Sequence, residues 1–257
     1  MLKKNIKFSV HENFFGAFSP PVPAKKAIPD WYKKMQKAST AHNGIFKEGK
    51  TLNGMYHDIG SNNVIPDQTI KTCIPVRDVL TSGYLILLPC DVFITIRDYR
   101  VFAANRTGHD FPDFIVESHP LQQISKSPLE SNIETKNNDV FKFMNPWLIT
   151  TPKGYSTFFT QPYYHELPFE ILSGIVDTDR FPMRVNFPFM WKNQGESADL
   201  VLKKGTPIAQ VHPFKRESWE MSVDKYSDQS EQRNAMNHQS MFQDFYRKLF
   251  HVKKTYD

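Results

Sequence analysis

Apolar and polar side chains alternate with a period of two over much of the chain, which predicts strands rather than helices. Ile6, Phe8 and Val10 alternate with Asn5, Lys7 and Ser9, giving an expected strand in residues 5–18. The strongest alternation follows Gly83, in residues 84–88 and 92–96, where Val92, Ile94 and Ile96 share one face and Phe93 and Thr95 the other. Pro89 between them predicts a bulge or a sheet edge. Residues 140–143, 155–160, 169–175, 183–189, 200–202 and 208–211 read as further strands. Lys153-Gly154, the Asp177/Asp179 segment and Lys203-Lys204-Gly205-Thr206 read as the turns between them, the last closing a hairpin.

Helical signals are few. Asp30 caps an expected short helix over residues 31–38, with Trp31 and Met35 on one face. A short strand in 69–75 leads to one or two helical turns in 76–82, stopped by Gly83. Beyond Pro213 the pattern changes to period 3.6. Phe242, Phe245, Tyr246, Leu249 and Phe250 fall on one face of an expected helix that starts at Ser227 or Ser230 and runs to about 250. Its polar face mixes Glu231, Arg233, Gln239 and Asp244, as on a helix docked to protein rather than lying on a membrane. Residues 39–68 and 125–139 are polar and without period, and read as loops. Ser19-Pro20-Pro21-Val22-Pro23 reads as an ordered arm laid along the body. The expected organisation is one β core over residues 69–214, with a strand, arm and short helix in 1–68 and a helix and tail in 215–257.

Composition agrees with a strand-and-loop protein. The 257 residues are 40% hydrophobic, with 21 Phe and 18 Pro. The net charge of +5 comes from interspersed charges, so nucleic acid is not expected as a direct partner. Cys73 and Cys90 have no metal or pairing spacing and fit buried thiols in a reducing compartment. The longest apolar run, residues 85–88, is too short for a bilayer, so a soluble protein and no membrane partner are expected. His109, Asp110, Asp113, Glu117 and His119 carry metal-ligating atoms, but Pro112 and Pro120 break any shared face, and no metal site is assigned. No cofactor is indicated.

The stretch 174–211 carries the candidate chemistry. Gly174-Ile175-Val176-Asp177-Thr178-Asp179 and Gly205-Thr206-Pro207-Ile208-Ala209-Gln210-Val211 resemble the third and fourth motifs of dUTPases and their dCTP-deaminase relatives. Thr151-Pro152-Lys153-Gly154-Tyr155 resembles the turn before them, and Phe159-Thr160-Gln161-Pro162 stands where the family's P-R-S-G motif begins. The likeness covers residues 150–213, a quarter of the chain. It implies a dUTPase-like β-clip, or a related double-sheet barrel, in subunits that self-associate, as trimers in that family. It also implies Asp177 as base for an attacking water and Gln210 as an amide that helps hold phosphates; Asp179, Gln210, Tyr155 and Arg180 are the residues expected around a nucleotide or other small ligand. The sequence departs from the pattern at Arg180, where a sugar-packing Tyr is expected, at Phe181-Pro182, and at Tyr163-Tyr164, which replace the phosphate-binding Arg-Ser. Without that cradle, a triphosphate loses its charge-assisted positioning, and a competent dUTPase is not expected. Read on their own, Asp177 and Asp179 are turn residues whose short carboxylates bond turn N–H groups, and Gln210 bonds backbone at a strand edge.

Over nearly its full length the chain also resembles an uncharacterised family of phages and some bacteria. Its marks are Pro23-Ala24-Lys25-Lys26, Pro29-Asp30-Trp31-Tyr32-Lys33, Thr69-Ile70-Lys71-Thr72-Cys73-Ile74-Pro75, Thr81-Ser82-Gly83-Tyr84, Asn145-Pro146-Trp147 and the stretch 205–214. Three functions follow as expectations. The first is a phage-type accessory protein, in the host cytoplasm, binding a ligand on a dUTPase-like core. The second is a virion component or assembly protein docking neighbours through its arm and terminal helix. The third is a metal-dependent oxygenase using His109, Asp110, His119 or His165.

Overall fold

Most of the expected strands are present, and every strand pairing among the described residues is antiparallel. The computed structural model describes residues 4–39, 67–97, 100–105, 115–119, 123, 140–192, 197–225, 246–247 and 250–257. Two compact units divide the chain. One is Met1–Pro29, Leu80–Glu217 and Tyr256–Asp257; the other is Asp30–Val79 and Ser218–Thr255. This differs from the expected division at 68/69 and 214/215. The Pro-rich arm enters the β core because Val22 and Pro23 pair with Leu85 and Tyr84.

Among the described residues, the first unit holds four open sheets. The largest has the order β13 (Gly174–Val176), β11 (Tyr155–Thr160), β16 (Pro207–Lys215), β5 (Tyr84–Leu87) and β2 (Val22–Pro23). A four-stranded sheet runs β12 (Phe169–Ile171), β14 (Phe187–Trp191), β9 (Val140–Phe143) and β8 (Val116–Ser118). A three-stranded sheet runs β15 (Ala198–Leu202), β6 (Val92–Arg97) and β7 (Arg100–Asn105). The last is the pair β1 (Lys7–Ser9) and β10 (Leu148–Thr150). Each sheet ends in two edge strands, so the protein is mainly β, and no sheet among the described residues closes into a barrel. Inward-facing aromatics fill the core. Phe143 and Phe189 stack with ring centroids 4.0 Å apart, and Phe169 and Trp191 meet Phe189 edge-on at 5.5 and 5.0 Å.

Several expected elements change length or partner. The strand expected in 5–18 stops after β1, because His11 caps a 3-10 turn over Glu12–Phe14 by accepting from the Asn13 N–H. The run 169–175 divides into β12 and β13, and Leu172 between them donates its N–H to the Pro188 carbonyl. The strand expected at 183–189 begins later, as β14. The expected hairpin at Gly205 does not form. β15 pairs with β6, and β16 pairs with β11 and β5. The turn is held by another connection instead: Asp91 accepts from the Lys204 N–H at 2.7 Å and from Lys203 Nζ at 2.9 Å, while Gly205 donates to the Leu88 carbonyl at 2.8 Å. Gly83 is needed twice over. Its φ of +67° is left-handed, and a Cβ there would lie 2.3 Å from the Val211 carbonyl oxygen.

The second unit holds α1 (Asp30–Lys34), the two-residue strands β3 (Ala38–Ser39) and β4 (Asp67–Gln68), and α2 (Ile74–Thr81) as far as Val79. The helix expected over 31–38 ends at Lys34, and Ala38 belongs instead to β3, which pairs with β4. The strand expected at 69–75 is a 3-10 turn over Ile70–Thr72, where Thr72 returns both its N–H and its hydroxyl to the Thr69 carbonyl. Pro75 sits in the first turn of α2, where a missing N–H costs nothing. Asp78 accepts from Lys254 Nζ at 2.8 Å and bonds His251 Nε2 at 3.0 Å. Most of the expected terminal helix lies outside the described residues. Tyr246 and Arg247 are helical, and Phe250 donates its N–H to the Tyr246 carbonyl. His42 and His57, in the polar stretch 39–68 that reads as a loop, also lie outside them.

Candidate functional site

The motif residues fall at opposite ends of one strand ladder. β11 pairs β16 from Tyr155↔Lys215 to Thr160↔Gln210, and β13 runs beside β11 into Asp177. Ser156, which meets Asp177, and Thr160, which faces Gln210, are four residues apart, about 13 Å at a strand's rise. Within one chain Asp177 and Gln210 are therefore set that far apart along the ladder.

At the first end the chain turns at Gly154, whose φ of +85° suits glycine. The Gly154 N–H donates to Asp179 Oδ2 at 2.8 Å. Arg216, just past β16, grips the same carboxylate with two parallel bonds, Nη1 to Oδ1 at 2.8 Å and Nη2 to Oδ2 at 2.5 Å. The Asp179 side chain is only 2% exposed. These bonds from Arg216, with that from Gly154, hold its carboxyl well below the usual carboxylate range. Arg216 Nη1 also reaches the Tyr155 carbonyl at 3.2 Å and Ser156 Oγ at 3.0 Å.

Asp177 and Asp179 differ because Thr178 points inward between them. Thr178 Oγ1 lies 2.8 Å from the hydroxyls of both Thr151 and Thr157. Thr151 donates to the Tyr155 carbonyl at 3.0 Å, and a carbonyl can only accept. Thr178 must then donate to Thr151, and Thr157 to Thr178, so the three buried hydroxyls form one satisfied chain. Asp177 lies on the outside, its side chain 56% exposed. Its Oδ1 accepts from Ser156 Oγ at 2.6 Å and is 3.2 Å from Arg216 Nη1. Tyr155 is half-buried, and strand alternation sends its side chain to the face opposite Ser156. Arg180 is exposed and donates its N–H to the Asp177 carbonyl.

At the second end Gln210 is 1% exposed and bonded at both atoms of its amide. Its Nε2 donates to the Ser82 carbonyl at 2.7 Å, and its Oε1 accepts from the Tyr163 N–H at 3.0 Å. Tyr163 belongs to the turn where the resemblance expects phosphate donors, and here that N–H is given to Gln210. Next along β16, His212 stands between the rings of Phe158 and Tyr163, and burial lowers its pKa to about 4.

Two open grooves flank the first end. One, of about 470 Å³, is lined by Ile175, Val176, Asp177, Arg180, Phe181 and Pro182. The other, of about 380 Å³, shares Pro182 and adds Leu148, Met183 and Arg184 among its lining residues. Of the residues brought to this end, Ser156, Thr178 and Arg216 were not singled out from the sequence. A signal for Arg216 existed: continuing the β16 alternation through Gln210, His212 and Phe214 puts it on the same face, six residues on.

Among the described residues no group of three His, Cys, Asp or Glu side chains could hold a metal ion. His109 and Asp110 lie outside them, while His119 borders β8 and His165 follows the Tyr163-Tyr164 turn. No helix among the described residues is long and apolar enough to cross a membrane. Comparison with known proteins gives no match to a family model, to a curated protein or to a solved structure.

Proposed function

We propose that the chain is an assembly protein of phage type, built on a dUTPase-like β core without hydrolytic activity, and that it binds further copies of itself through the outer face of the β15–β6–β7 sheet. The observation that carries this reading is the apolar row on that face. Register aligns Val201, Phe93 and Ala104 across the three strands, and Asp199, Thr95 and Phe102 in the next row. Phe93 is 56% and Phe102 59% exposed, and Val201 and Ala104 are also exposed. An antiparallel sheet normally turns polar side chains outward, so aromatic side chains on both central and edge strands mark a surface that another sheet covers. A second copy suits it. Related by a two-fold axis, two such faces pack row against row, and the Arg97–Asp199 ion pair on each meets its counterpart with opposite polarity.

The carboxylate end supports the non-hydrolytic part. A base must be free to take a proton from water, and a triphosphate needs donors aimed at it. Here both Asp179 oxygens are bonded, one Asp177 oxygen is bonded, and the Tyr163 N–H is occupied. Mass spectrometry of purified particles, with sedimentation of the isolated chain, tests the proposal. The chain is expected in particles and in associated form, and its absence from particles counts against it.

A further inference from the structure

The segment that leaves β16 carries a second, independent surface. Residues 218–224 read Ser-Trp-Glu-Met-Ser-Val-Asp, with apolar and polar side chains strictly alternating, and they form no strand or helix. Trp219, Met221 and Val223 are 88, 87 and 85% exposed. Three large apolar side chains at alternate positions, each almost fully in water, are the sequence pattern of a strand without its sheet.

β13 offers an edge for it. Among the described residues β13 pairs only with β11, and its Gly-Ile-Val sequence carries no Lys, Pro or charge to block a further strand. Ile175 in its centre is 63% exposed. Beside it runs the groove lined by Ile175, Val176 and Phe181, and the second groove, which shares Pro182 with it, adds Met183 and Leu148 as apolar lining. Their exposed arginines, Arg180 and Arg184, complement Glu220 and Asp224 on the polar side of the segment. Direction also fits. β13 and β16 are both antiparallel to β11, so both point toward the Gly154 end, and the segment starts there. Continuing out of one copy and into the same end of another, it meets β13 in antiparallel sense, and a two-fold axis makes the exchange reciprocal and closed.

We propose that residues 218–224 add as a strand to the β13 edge of a second copy of this chain, seating Trp219, Met221 and Val223 in the grooves around Pro182. The surface is distinct from the outer face of the β15–β6–β7 sheet. The test therefore uses full-length protein carrying Phe93→Ser and Phe102→Ser, which removes the other contact. Two further variants are made in that background. One has a blunted donor (Trp219→Ser, Met221→Ser, Val223→Ser), the other a blocked acceptor (Ile175→Lys), and all four changes are at exposed positions. By sedimentation equilibrium at tens of micromolar, the background protein is expected as a dimer and each variant alone as a monomer. An equimolar mixture of the two variants is expected to regain a dimer, because one donor and one acceptor remain. A monomeric background protein, a dimer from either variant alone, or a mixture that stays monomeric overturns the proposal.

Discussion

The two ends of the β11–β16 ladder solve the same problem with different chemistry. At the Gly154 end, where the chain crosses between strands, a carboxylate and a guanidinium fix the corner, with three buried threonines behind them. At the Thr160 end a neutral amide ties the Ser82 carbonyl to the Tyr163 N–H. Both sets join backbone that strand pairing leaves unmatched, and both draw on residues of the stretch that resembles a nucleotide-binding motif. A carboxylate or amide within a motif can thus be occupied entirely by holding the corners of a sheet. The difference lies in how each end responds to perturbation: the charged end should lose stability only below about pH 4, whereas the amide end should respond to loss of either hydrogen-bonding atom and, through His212, to milder acid.

The largest effect is expected at the amide end. Gln210→Ala leaves a buried donor and a buried acceptor unmatched and opens a cavity, at a cost of about 4 kcal/mol. A thermal melt should fall by roughly 8–16 °C. At the charged end, Arg216→Met keeps the side chain's bulk but strands the Asp179 carboxylate, and Tm should drop by roughly 5–10 °C. If the two variants ranked the other way, the charged corner would be the stronger of the two locks.

Acid separates the ends further. Asp179 has a depressed pKa in the folded protein, so its contribution is complete above the unfolded value near 4 and is lost as pH falls below it. His212 is held neutral by burial, with a folded pKa of about 4 against 6.5 unfolded. The unfolded chain therefore takes up the extra proton first, and stability declines as pH falls from 6.5 to 4, by up to about 3 kcal/mol. Denaturant midpoints measured against pH should flatten between 6.5 and 4 in His212→Phe, and below 4 in Asp179→Asn. Unchanged curves in both variants would remove the distinction. The smallest expected effect is none: deoxynucleoside triphosphates at about 1 mM should leave Tm unmoved, whereas a shift of several degrees would restore a ligand role for the groove beside Asp177 and Arg180.

Strand positions were largely legible in the sequence because alternation is a local property. Residues 155–160 and 140–143 match β11 and β9 residue for residue. Pairing was not legible, because the turns at Gly154 and Gly205 look like hairpin turns yet carry the chain from one sheet to another. That choice was made by contacts far away in sequence, such as Asp91 with Lys203 and Lys204. The candidate site was half legible for the same reason. Asp177 and Asp179 stood out, but Arg216 lies 37 residues from Asp179 and is brought to it by the register of β16 on β11. The expectation that Gln210 would join Asp177 came from a likeness of motifs, and the ladder sets them apart. Phe93 was readable only as the second face of a strand; that this face is in water depends on the tertiary packing.

Sedimentation velocity of the full-length chain against its Phe93→Ser, Phe102→Ser variant tests most directly whether the protein works by docking rather than by chemistry at the carboxylates. The account predicts an associated wild type and a smaller species for the variant, with unchanged circular dichroism. Identical sedimentation of the two, at tens of micromolar, would contradict it.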